Sequence, residues 1–136
     1  MNILLVTNDW MPKKGGISTY LENIVKNLDH KFIVYGPNWV EGENTFNADV
    51  NFLFNSRKVF KDIQSIVEKN HIDIILHGSS NPNFLFINKL NTLNIPDSPK
   101  NIKIPQYMIC HGAEFNVLNY IPIIRNAISK LLKFSI

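Results

Sequence analysis

Four places in this chain carry side chains or backbone that could do chemistry: the pair Gly15-Gly16, His77, the cluster His111-Gly112-Ala113-Glu114, and Trp39. Adjacent glycines at a helix entrance permit a tight turn and let another group approach the backbone. The helix start adds unpaired N–H groups and a partial positive charge, which stabilises an anion by roughly 0.3–1 kcal/mol. A diphosphate suits that chemistry; a plain turn is the alternative. His111 directly follows an apolar run, and an imidazole can donate or accept a proton near neutral pH. Its competing role is a satisfied turn histidine, with Glu114 as surface charge. His77 reads as a hydrogen-bonded edge histidine in preference to a catalytic one, and Trp39 as a packing anchor in preference to a ligand contact. Cys110 is the single cysteine, which leaves no internal disulfide and no paired-thiol metal site. We expect no metal.

The elements that must position these groups follow from apolar period. Ile3, Leu4, Leu5 and Val6 form a short continuous run suited to a strand covered on both faces. Ile17, Tyr20, Leu21, Ile24, Val25 and Leu28 then repeat at the helical period, so Asn2 to Leu28 reads as strand, glycine loop and helix. A second strand is expected over 31–36, a loop from Pro37 to Ala48, and a third strand over 49–54. Ser56 reads as the cap of a helix whose inner face is Val59, Phe60, Ile63, Ile66 and Val67. A strand over 72–76 puts His77 at its carboxyl end, where open α/β sheets bind ligands. A helix after Pro82, a loop over 94–100, a strand over 106–110 and a basic amphipathic helix over 122–136 complete the order. Packing on the sheet is the favoured use of that last helix and contact with a membrane surface the other. Such alternation predicts an α/β, Rossmann-like, mostly parallel sheet with helices on both faces. If the strands are parallel, His111 and the glycine pair share one edge.

At 136 residues there is room for one domain. A charged fraction of 18% and a hydrophobic fraction of 45% suit an ordinary globular chain. The net charge of +3 is compatible with anionic substrates or a membrane surface. With no dense Lys/Arg block, nucleic acid is not expected as a partner. No signal-peptide pattern and no membrane-length apolar run is seen, so the cytoplasm, with peripheral contact to the inner face of the membrane as an option, is the expected location.

Strand, then TNDWMPKKGGISTYLENIVKNL, resembles the opening of GT-B-fold glycosyltransferases of family 4, through Pro12, Gly15, Gly16, Ile17, Tyr20 and Leu21. The second landmark is a strand ending in His111-Gly112 with Glu114 soon after. The resemblance implies that Gly15 and Gly16 face the donor diphosphate and that Tyr20 and Glu114 line the acceptor side of a cleft. It also implies that His111 acts beside the reacting sugar, orienting it by hydrogen bonding in preference to transferring a proton. No cofactor is implied beyond the nucleotide-sugar donor, and the acceptor would be a glycan or a lipid-linked sugar. A nicotinamide fingerprint and a Walker phosphate loop are both absent from the glycine segment. The family's donor-binding domain and the last strands of its first domain are not in residues 1–136. An incomplete single domain is therefore expected, inactive alone, with the donor domain in a longer protein or on a separate chain. The competing expectation is a non-catalytic Rossmann-like module that binds a phosphate-containing ligand or a partner subunit.

Overall fold

The computed structural model describes residues 1–52, 55–78, 104–109 and 111. Its elements are β1 (Asn2–Val6), α1 (Gly16–Asn27), β2 (Lys31–Gly36), β3 (Thr45–Asn47), α2 (Ser56–Asn70), β4 (Ile74–His77) and β5 (Gln106–Met108). They build one sheet in the order β3-β2-β1-β4-β5, with every pair parallel. β1 is the centre, its Leu4 opposite Ile33 on one side and Ile75 on the other.

Alternation along the strands divides the core between two helices. Leu4, Val6, Ile33, Tyr35 and Ile75 face α2 through Val59, Ile63, Ile66 and Val67. Ile3, Leu5, Phe32 and Val34 face α1 through Leu21, flanked by Ile17, Ile24 and Val25. The helices thus cover opposite faces, which is why β1 could be apolar without alternating. Among the described residues no helix is long and apolar enough to cross a membrane.

Four elements have bounds that differ from the sequence expectation. The third strand lies at Thr45–Asn47, inside the expected loop, and residues 49–52 are not a strand. Pairing decides this: Val34, Tyr35 and Gly36 take Thr45, Phe46 and Asn47 as neighbours. Phe52, whose apolarity suggested a strand, is buried from a turn, edge-on to Tyr35 at 5.5 Å. The α2 cap is Asn55, which accepts from the Lys58 N–H at 3.2 Å, and Ser56 is the first helical residue. β4 begins and ends later than expected, so His77 is its last residue, and β5 ends at Met108. The expected helix after Pro82, the loop over 94–100, Cys110, Glu114 and the 122–136 helix lie outside the described residues.

Candidate functional site

From β1 the chain passes through α1 to β2 on one side, while β4 lies on the other. A parallel sheet opens a crevice outside the carboxyl ends of its strands where connections diverge in this way. Around it stand Thr7 after β1, Gly78 after β4, His111 after β5 and the start of α1.

Thr7 is fully buried and ties the centre together. Its N–H donates to the Tyr35 carbonyl at 3.0 Å, and its Oγ1 accepts from the Asp9 N–H at 3.0 Å, turning the chain away from β1. Gly78 continues the β4 ladder, its N–H donating to the Val6 carbonyl at 2.8 Å. A Cβ on Gly78 would sit 2.9 Å from Leu21 Cδ1, Thr7 Cβ and Thr7 Oγ1, so only glycine lets β4, β1 and α1 meet this closely.

The Gly78 carbonyl accepts from Nε2 of His111 at 2.6 Å. A carbonyl can only accept, so Nε2 carries the proton, and in the neutral ring Nδ1 keeps its lone pair. The His111 ring also meets Tyr20 edge-on, with centroids 5.9 Å apart and planes at 88°. Tyr20 remains 49% exposed, so it offers a free surface beside the imidazole. His111 and Tyr20, named separately from sequence, are therefore in contact, and Gly16 lies one helical turn before Tyr20.

Gly15 is the N-cap of α1, with φ −171° and ψ 173°, extended backbone that any residue adopts. The tight-turn rationale for the glycines therefore fails. Close approach survives, since no described atom lies within 4 Å of a Cβ built on Gly15 or Gly16. Ser18, buried three residues on, accepts from the Gly15 N–H at 2.9 Å and donates to the Gly15 carbonyl at 3.0 Å. Among the described residues no side chain accepts from the first-turn N–H groups of Gly16, Ile17 and Ser18, the position where a helix start can meet an anion.

His77 is buried, with Nε2 2.9 Å from Oε1 of Gln106, which fits the edge-histidine reading. Trp39, expected to anchor packing, is instead 37% exposed. Among the described residues no group of three His, Cys, Asp or Glu could hold a metal ion. Sequence reasoning passed over Thr7 and Ser18. The spacing of Thr7 to Asp9 and of Gly15 to Ser18, two and three residues, would have signalled both as local hydrogen-bonding residues.

No family model matches the chain. Part of it is similar to the GDP-mannose-dependent alpha-(1-6)-phosphatidylinositol monomannoside mannosyltransferase of Mycolicibacterium smegmatis, with 49% identity over 43 residues, 30% of this chain and 11% of that protein. The protein of the same name from Mycobacterium tuberculosis is 43% identical over 49 residues, 33% of this chain and 12% of its own length. The similarity thus spans about a tenth of those relatives.

Proposed function

We propose that this chain is the acceptor-side domain of a GT-B glycosyltransferase of the family 4 type, moving a sugar from a nucleotide-sugar to a glycan or lipid-linked acceptor. The observation that carries the reaction class is the 49% identity over 43 residues to a sugar-nucleotide-dependent mannosyltransferase. The geometry supports the division of labour. The open first turn of α1 at Gly15 and Gly16 takes the donor's diphosphate on its N–H groups. His111, held through Nε2 on the Gly78 carbonyl, turns Nδ1 to accept a hydrogen bond from a sugar hydroxyl. That fixed tautomer suits orientation of the sugar better than proton donation. Tyr20 bounds the acceptor side beside it, and the resemblance alone assigns Glu114 to that side.

Transfer also needs a second domain to hold the nucleotide and sugar. Positioning two reactants can account for roughly 7–11 kcal/mol of a barrier, and half a cleft supplies little of that. Residues 1–136 alone should show no multiple turnover with a panel of nucleotide-sugars. In the full-length enzyme carrying this domain, Gly16→Val should raise the donor KM about tenfold or more while melting stays unchanged. His111→Ala should lower kcat. Tight donor binding and turnover by the chain alone would overthrow the divided-site reading. Wild-type kinetics in both folded variants would overturn the roles given to Gly16 and His111.

A further inference from the structure

The carboxyl edge holds a second cleft on the β2–β3 side of β1, away from His111 and Gly78. It encloses about 440 Å³ and is lined by Asn8, Asn38, Trp39, Asp49, Asn51 and Phe52, with Pro37 and Val50. Asn47 makes this wall rigid, its Nδ2 donating to the Asn38 carbonyl at 3.0 Å and to the Val40 carbonyl at 2.7 Å. Trp39 lies between those two pinned carbonyls. Its indole is 37% exposed, with the Lys13 ammonium 5.8 Å from the ring centroid.

The lining selects a ligand class. The amides of Asn8 and Asn38 each carry both a donor and an acceptor, the combination a hydroxyl also presents, and the Trp39 indole offers a flat apolar surface. Among the described lining residues Asp49 is the one charged side chain, and Lys58, 3.5 Å from it, and Lys13, at the Trp39 ring, stand beside the cleft. A ring with hydroxyls at its rim and C–H groups on its face matches both the amide and the indole parts of the wall.

We propose that this cleft binds an uncharged sugar or cyclitol ring, hydrogen-bonded by Asn8 and Asn38 and stacked on Trp39, and that this ring belongs to the acceptor. The last clause rests on the glycosyltransferase reading; ring binding does not.

The chain has two tryptophans, and Trp10 is only 5% exposed, so the two indole N–H signals of ¹⁵N-labelled protein separate the cleft from the interior. The probes are methyl α-D-mannopyranoside and myo-inositol, with guanosine as a planar control. The Trp39 signal, assigned by its loss in Trp39→Phe, should shift saturably with at least one ring and the Trp10 signal should stay. Asn8→Ala should weaken binding about tenfold, the worth of one or two lost hydrogen bonds. Its effect on the full-length enzyme should be a raised acceptor KM at unchanged donor KM. An unmoved Trp39 signal, a stronger response to guanosine, or unchanged affinity in a folded Asn8→Ala variant would overturn the proposal. If sugar transfer is intact and Trp39 does not respond, the cleft assignment alone fails. If Trp39 responds saturably in an enzyme that never transfers sugar, the glycosyltransferase reading fails and the cleft stands.

Discussion

The two described helices lie on opposite faces of the sheet and begin differently. α2 is closed by its own chain: Asn55 caps it, and behind that cap the Tyr35 hydroxyl donates to Asp62 at 2.9 Å while Lys58 reaches the same carboxylate at 2.6 Å. α1 begins on a glycine with no side-chain cap and open space in front of it. The glycines of the carboxyl edge divide in the same way. Gly36 and Gly78 are walled in, a Cβ on Gly36 falling 2.6 Å from the Thr7 carbonyl oxygen, whereas Gly15 and Gly16 face nothing among the described residues. Packing accounts for the first pair. Packing among the described residues does not account for the second pair, whose open surroundings are what the proposed anion site requires.

The largest effect should come from filling the walled positions. Gly36→Ala forces a methyl against backbone at Thr7, which cannot swing aside as a side-chain tip can, and should cost about 1–3 kcal/mol in denaturant unfolding. Gly16→Ala, measured alongside, should fall within a few tenths of a kcal/mol of the parent or above it, since alanine is the better helix former. Equal losses at the two positions would erase the distinction between them.

The closed side should also reveal itself in alkali. Burial, then the hydrogen bond to Asp62 and its charge, push the Tyr35 phenol far above its ordinary value of 10.0. The unfolded chain releases that proton above about pH 10 and the folded chain does not. This group's contribution is therefore constant below that pH and is lost above it, by up to about 1.4 kcal/mol per pH unit. Tyr35→Phe should cost about 1 kcal/mol at neutral pH for the lost hydrogen bond, then show a shallower alkaline decline than the parent. Urea unfolding from about pH 8 to pH 11 measures both. Parallel declines would mean the phenol titrates freely in the fold.

How much of this was legible beforehand depended on whether the deciding force was local. β1, α1 and β2 show their period in the chain itself, and α1 and β2 were placed within a residue. β3 was misplaced because its only reason to be a strand is the edge of β2, and Phe52 gave apolar content to a segment that packs as a turn. The edge shared by Gly15, Gly16 and His111 followed from parallel topology alone, whereas the contact of Tyr20 with His111 did not. What could not be read was the contact that fixes the His111 tautomer, because it depends on the carbonyl of Gly78, a residue 33 positions away. The walled glycines were equally hidden, since Gly36, Gly78, Gly15 and Gly16 differ in surroundings and not in residue type.

The smallest effect on stability gives the sharpest test of an open helix start. Gly15 already has the extended backbone an N-cap adopts, and there is space for a side chain. In Gly15→Ser the new hydroxyl can accept from the Ser18 N–H, as Asn55 accepts from Lys58 in α2, while Ser18 Oγ keeps its bonds to the residue 15 backbone. Serine is a better cap than glycine by only a few tenths of a kcal/mol, so melting should rise slightly. The same hydroxyl occupies an N–H that an anion would use. Added pyrophosphate protects the folded state in proportion to how far its concentration exceeds the dissociation constant. The parent should therefore gain more in melting temperature from pyrophosphate than Gly15→Ser does, although the variant starts higher. A variant that is both more stable and less protected would show that α1 gives up its own cap in favour of a ligand. If protection is the same in both proteins, the anion binds elsewhere and the open start of α1 is only a missing cap.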